Sequence, residues 1–329
     1  MTARRYVVSR RSAGLGDLIV NLLVAWRFGK RTGRTLVADW RGTRYLKDPG
    51  QNLFGALFEP VDHLAGVPFI GRDDLSDIAY PEPFHPAFWT PALLALPPRR
   101  PTSEVFRDRD AALALVLDGA DVDAPTVVFD GCINGAVPPP DLCRQVLSEL
   151  RPVAEIRLEV ERFRDRHLSG HPVVAVHLRH GNGGKIGQHA QYWEDFDAAV
   201  ERCAAATQAV RAQLGGDTAV FLATDAQAAA DAFLARIPQT VVRPKFLRRQ
   251  GEGELHRWPL AFVTRAEAMI DMLLLAESDA LVRFPPQSFF SLYAALMKHP
   301  PPPRSSPAPE QSSPAPDRDP DDFEPLVVW

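Results

Sequence analysis

The chain has 329 residues, 46% of them apolar and 24% charged, the balance of a folded enzyme rather than of a disordered or fibrous protein. Its net charge is -4, and the stretch from His299 to the end, with two Arg against six Asp and Glu, accounts for all of it, so residues 1–298 sum to zero. No global field therefore argues for nucleic acid or an anionic membrane surface as partner. No apolar run approaches the ~18 residues of a membrane span, and Tyr6-Val7-Val8 is too short a centre for a signal peptide. Cys132, Cys143 and Cys203 are too widely spaced for a metal motif, which makes a reducing, cytoplasmic setting the expectation.

In chain order, Arg5 to Ser9 reads as a strand, and Ser12-Ala13-Gly14-Leu15-Gly16-Asp17 leads into a helix. Leu18, Ile19, Leu22, Leu23, Ala25 and Trp26 recur at helical spacing until Gly33 ends it, and Thr35 to Trp40 is the next strand. This is one βαβ unit with a glycine turn at its first corner. Ile19 stands where a dinucleotide fingerprint has its third glycine. Gly14 and Gly16 thus offer either close backbone approach to a ligand or a plain tight turn. Asp39, Arg41 and Tyr45 come at the end of the second strand, where open α/β sheets bind ligands; a solvated loop is the other reading. Residues 48–102 are rich in Pro and aromatics and predict an irregular excursion with short strands. Helices are expected over 105–117, 141–150 and 153–167, with a strand over 126–130.

Val173 to Leu178 is a valine-rich apolar run, the pattern of a strand buried on both faces. It feeds straight into Arg179-His180-Gly181-Asn182-Gly183-Gly184-Lys185. Glycines let backbone N–H groups approach an anion, and a planar guanidinium adds paired, charge-assisted donors. That chemistry suits a diphosphate; an ordinary turn with a solvated charge cluster is the competing reading. A helix over 196–214, a strand over 218–223 ending in Thr224-Asp225, and a helix over 226–236 follow. Beyond them lie a strand over 240–243, a polar loop over 246–258, a helix over 265–277, a strand over 280–284, and Pro285-Pro286-Gln287-Ser288 before a helix to Lys298. In a parallel sheet these strand ends share one edge, so Arg179-His180, Thr224-Asp225 and Gln287-Ser288 converge. Ser288 at a helix start suits a phosphate, and Asp225 suits a ribose hydroxyl or base N–H. Helix capping is the alternative for each.

The expected architecture is α/β, with two doubly wound parallel sheets facing a cleft, one in residues 1–152 and one in 153–298. Residues 299–329, with ten prolines from Pro300 onward, cannot bury enough surface to order themselves. Their apolar end, Phe323 to Trp329, is expected to be a passive tail rather than a docked one. The chain has no GxSxG, HExxH or CxxC, and its Gly184-Lys185 pair runs into Ile186 rather than the Ser or Thr of a P-loop. Acidic pairs such as Asp108/Asp110, Asp121/Asp123 and Asp195/Asp197 follow no convincing strand. No metal and no separate cofactor are expected.

HLRHGNGG followed by QHAQYW resembles the NodZ-type α1,6-fucosyltransferases, the nodulation fucosyltransferases related to the mammalian core α1,6-fucosyltransferase. GLGDLIVNLLVAWRFGKRTGRTLVADWRG, FGALFEP, LATDA and IDMLLLAESDALVRFPPQSFF are similar to other parts of that family, in matching order over about residues 5–298. The resemblance implies a GT-B fold of two Rossmann-like domains, with GDP-fucose held mainly by the second. It also implies inverting, metal-independent transfer to the 6-hydroxyl of an N-acetylglucosamine in a chitin-type oligosaccharide. On this chain it makes Arg179 the pyrophosphate anchor, with Gly181, Asn182 and Gly183 in the same loop and His177 beside the nucleotide. Asp225 and Asp271 fall in nucleotide-contacting segments, Asp271 accepting from guanine, and Ser288 matches a phosphate-contacting serine. The acceptor falls to residues 1–152, where Asp39, Arg41 and Tyr45 are the candidates. Some relatives carry an acid in the loop after the HxR string; Gly183 to His189 has none, which leaves His180 or His189 as the base. Two rivals stay open: the same fold with another donor or acceptor (polysaccharide, lipopolysaccharide or peptide), and a catalytically silent nucleotide- or glycan-binding protein. Oligomeric state is left open.

Overall fold

The computed structural model describes residues 4–43, 45–97, 109–117, 119, 121–131, 134–180, 196–245, 247, 261–298 and 325–329. Two compact units divide it. One is built from the chain up to Ile156 and the other from Arg157 onward, with the start of a later helix, up to Ala266, counted in the first.

In the first unit, β1 (Tyr6–Arg10), α1 (Leu15–Thr32) and β2 (Thr35–Asp39) form the expected βαβ opening. Leu18, Ile19, Leu22 and Leu23 of α1 are wholly buried, and each such side chain contributes about 1.5–3 kcal/mol relative to exposure. Gly33 ends the helix at φ 65°, its N–H donating to Gly29 O, a conformation that a side chain resists. The aromatic-rich excursion contains α2 (Leu53–Leu57), β3 (His63–Leu64), β4 (Val67–Ile70), β5 (Phe84–His85) and α3 (Pro91–Ala95). Prolines at its turns limit every element there to a few residues. α4 (Arg109–Leu117), β6 (Thr126–Phe129) and α5 (Pro140–Ser148) follow, and α6 (Ala154–His167) starts at the unit boundary and belongs from Arg157 onward to the second unit. The six-stranded sheet has the order β3-β4-β2-β1-β6-β5, parallel except for the β3–β4 pair. From β1 the chain builds outward through β2 and later lays β6 on the other side, so the topological switch point lies between the carboxyl ends of β1 and β6.

The second unit comprises β7 (Val173–Leu178), α7 (Phe196–Leu214), β8 (Ala219–Thr224), α8 (Gln227–Arg236), β9 (Val241–Val242), α9 (Ala261–Ala276), β10 (Ala280–Phe284), α10 (Phe289–Met297) and β11 (Leu326–Val328). Its sheet order is β11-β10-β7-β8-β9. β7 is central and buried along its whole length, as a strand covered on both faces must be. Val174, Val176, Val220, Leu222 and Val282 pack there with Ala199, Cys203 and Phe233 from the helices. The switch point of this sheet lies between β7 and β10.

The chain terminus corrects the expectation of a passive tail. Leu326–Val328 pairs antiparallel with β10, Val327 opposite Val282, and Val327 and Trp329 pack on the second core. The outer edge of β10 would otherwise present an unpaired row of backbone donors and acceptors, and a short β-branched segment satisfies it.

Candidate active site

The carboxyl edge of the second sheet gathers the predicted residues of that unit. His177 lies opposite Ala223 of β8 and Arg283 of β10, so the segments after β7, β8 and β10 leave the sheet side by side. Beyond the ladder, the Arg179 amide donates to Phe284 O at 2.9 Å and the His180 amide to Asp225 Oδ1 at 2.8 Å. The turn after β7 is thereby pinned from both neighbouring strands. Asp225 consequently does not cap α8, whose N-cap is Ala226, and Ser288 stands at the N-cap of α10 without a capping hydrogen bond from its side chain.

Three polar atoms on this edge lack hydrogen-bond partners although their residues are buried: His177 Nδ1, Thr224 Oγ1 and Ser288 Oγ. Leaving one such group unsatisfied costs about 1–3 kcal/mol, so three on one edge leave hydrogen-bonding capacity that a ligand can take up. Burial, joined by the charges of Arg179, Arg283 and Lys245, drives the His177 pKa well below the usual histidine range. Its ring lies 5.2 Å from that of Phe290. His177 is therefore a neutral hydrogen-bonding group at physiological pH.

Cations that the sequence reading missed complete the edge. Arg283 is buried in β10 and donates to Pro286 O at 2.7 Å, Ser288 O at 3.3 Å and Ser291 Oγ at 3.2 Å. Burial lowers its pKa to about 10, so it stays charged, with no carboxylate partner among the described residues. The signal for it was an arginine inside the apolar strand Ala280–Phe284. Arg243 Nε donates to Asp271 Oδ1 at 2.9 Å, and Lys245 pairs with Asp271 Oδ2. Asp271, the residue expected to accept from a guanine, holds these two cations at the end of β9. Arg179 makes no side-chain hydrogen bond or ion pair with any described residue. Four cations against Asp225 and Asp271 leave an edge suited to a dianionic phosphate ester. Gly181, Asn182, Gly183 and His189 lie outside the described residues.

In the first unit, Gly14 caps α1 at φ -66°, and a Cβ there would meet only Asp17 Oδ2 at 3.6 Å. The backbone thus makes no demand for glycine, and the missing side chain leaves open space at the helix start. Gly16 sits buried in the first turn of α1, and the Tyr45 hydroxyl accepts from the Leu15 amide at 3.2 Å. Asp39 and Arg41, expected to line an open crevice, are held in a buried triad. Arg41 Nε donates to Asp39 Oδ1 at 2.8 Å and its Nη2 to Leu94 O at 2.7 Å, while Arg10 pairs with Asp39 Oδ2 and donates to Leu94 O at 3.0 Å. The triad ties β1 and β2 to α3, because two buried guanidinium groups require both a carboxylate and carbonyl acceptors. Among the described residues no group of three or more His, Cys, Asp or Glu is placed to hold a metal ion, and no helix is long and apolar enough to cross a membrane.

The family model of nodulation protein Z (NodZ) matches residues 3–300. Nodulation protein Z of Sinorhizobium fredii is 38% identical over 294 residues, which cover 89% of this chain and 90% of the relative. The crystal structure of NodZ alpha-1,6-fucosyltransferase soaked with GDP-fucose superposes with a TM-score of 0.74 at 33% identity, covering 90% of this chain and 93% of that one. The same enzyme co-crystallised with GDP gives 0.74 at 34% identity, with 90% and 93% covered. The fold is α/β of the GT-B class, and the chain belongs to the NodZ family.

Proposed function

We propose that this chain is a fucosyltransferase that moves L-fucose from GDP-fucose to the 6-hydroxyl of an N-acetylglucosamine in a chitooligosaccharide, with inversion and without a metal ion. The observation that carries the reading is the pair of buried, partnerless hydroxyls, Thr224 Oγ1 and Ser288 Oγ, on the edge that also bears Arg179 and Arg283. Support comes from family membership and from solved relatives described with GDP-fucose and with GDP.

As the bond from fucose C1 to the β-phosphate oxygen breaks, its electron pair stays with GDP and negative charge grows on that phosphate. Arg179 meets this charge with paired donors, and Ser288 with its hydroxyl at the amino end of α10. Cations fixed before the reaction stabilise the developing charge more than they stabilise the ground state. His177, kept neutral, adds a hydrogen bond without a further charge. The acceptor oxygen attacks C1 from the face opposite the leaving group and inverts it, and its proton passes to a base, His180 or His189.

The test is GDP release from GDP-fucose with and without chitin oligomers, in EDTA. Acceptor-dependent release that EDTA leaves unchanged is expected. Absence of release, or its loss with EDTA and return with magnesium, overturns the reading.

A further inference from the structure

The carboxyl edge of the first sheet holds a carboxylate that neither the fold nor the donor site uses. Asp130 directly follows Phe129, the last residue of β6, which pairs with Ser9 of β1. It therefore stands at the switch point between β1 and β6, where open α/β sheets place ligands. Asp130 is 8% exposed, and its Oδ1 has no hydrogen-bond partner, although an unpaired buried carboxylate is a costly arrangement. The backbone around it is clamped. Asn21, wholly buried in α1, donates from Nδ2 to Phe129 O at 3.1 Å and to Gly131 O at 3.0 Å, while Ser9 donates to Asn21 Oδ1. Arg11, immediately after β1, has Nε and Nη1 buried without partners, and its Nη2 comes only within 4.0 Å of Asp17. One strand edge thus offers a spare acceptor and spare donors together.

We propose, building on the fucosyltransferase reading, that this edge seats a neutral hydroxyl- and amide-bearing sugar of the acceptor, with Asp130 accepting from a hydroxyl and Arg11 donating to an oxygen. An anion is disfavoured by Asp130 and a cation by Arg10 and Arg11, whereas a sugar uses both kinds of spare atom. The charged groups around Asp130 are Arg11, with Asp17 of α1 near it, and Arg10, tied to Asp39 of β2. Burial outweighs the two arginines and raises the Asp130 pKa to about 7. The carboxylate is then partly ionised near neutrality, and its strength as an acceptor rises with pH.

The experiment titrates the full-length protein with chitotetraose by calorimetry between about pH 6 and pH 8.5, a window that brackets the raised carboxyl. Wild type is expected to bind more tightly as pH rises. Asp130→Asn is expected to bind about tenfold more weakly at the high end and to lose the pH dependence, with GDP affinity unchanged as the check on folding. Arg11→Gln, which removes a charge favouring the ionised form, is expected to move the midpoint upward. Wild-type behaviour of the Asn variant at every pH overturns the proposal, as does absence of chitotetraose binding by the wild type. GDP release with the same oligosaccharide, measured in parallel, separates the two readings. Binding through Asp130 without any GDP release sinks the transferase reading and keeps this site. Turnover with KM and pH profile unaltered in Asp130→Asn does the reverse.

Discussion

Arg283 of β10 lies in register with His177 of β7, so a buried cation and a buried imidazole share the centre of the second sheet's edge. The arrangement makes protonation of His177 unfavourable, and stability therefore depends on pH. The unfolded chain takes up a proton on this histidine below about pH 6.5, while the native state resists it. Stability is consequently lost as pH falls through that value toward the depressed folded pKa. In His177→Gln that loss is absent. Thermal melts between about pH 5 and pH 8 are expected to show a shallower acid limb for the variant; parallel limbs would mean that His177 titrates freely.

Ser288 separates binding from folding. Its hydroxyl caps nothing within the chain, so Ser288→Ala is expected to leave stability within about 0.5 kcal/mol. Loss of one hydrogen bond to a phosphate corresponds to about 1.5–3 kcal/mol, or roughly tenfold or more in GDP affinity. Denaturant melts and a GDP titration on the same preparation check both halves.

Asp130 has the opposite linkage sign to His177. Its pKa is raised from 3.8 to about 7, chiefly by burial, so the native state holds its proton where the unfolded chain has lost it. Stability then falls as pH rises from about 4 to about 7, by at most about 4 kcal/mol. Asp130→Asn removes this loss, and its melting temperature is expected to exceed that of wild type at pH 8 but not at pH 4. A gain in stability that accompanies loss of sugar binding is the signature of a site kept for function.

The terminal strand is worth testing by deletion. Removing residues 325–329 uncovers the outer edge of β10 and takes Val327 and Trp329 off the second core. A loss of about 1–2 kcal/mol is expected from the cross-strand pairs and the apolar area. Scattering is expected to report self-association through the exposed edge. An unchanged melting temperature and a monodisperse product would assign the strand no structural role.

Much of this architecture was legible because its strands are local, contiguous and apolar. Val173–Leu178 and Ala280–Phe284 fall where the sequence pattern put them, and parallel pairing brought Arg179, Asp225 and Ser288 to one edge without any long-range guesswork. Long-range partners were not legible. Arg283 hides in an apolar strand, Lys245 follows a strand of two residues, and Asp271 lies on a helix whose partner strand cannot be read from spacing. Asp39 and Arg41 looked like crevice residues because the pattern locates a strand end but not what packs over it, here α3. The docking of Leu326–Val328 needs knowledge of which strand forms the sheet edge, and that is a property of topology alone. Asp130 ended a predicted strand and drew no notice, since only burial sets it apart.

The most direct measurement is GDP release from GDP-fucose with a chitooligosaccharide, in EDTA, for wild type and Arg179→Ala. With no divalent ion to share the load, loss of the guanidinium is expected to lower turnover by several hundredfold, in the range seen for single groups that stabilise developing charge, about 10²–10³. Turnover in Arg179→Ala within a few-fold of wild type would contradict the central role given to that arginine.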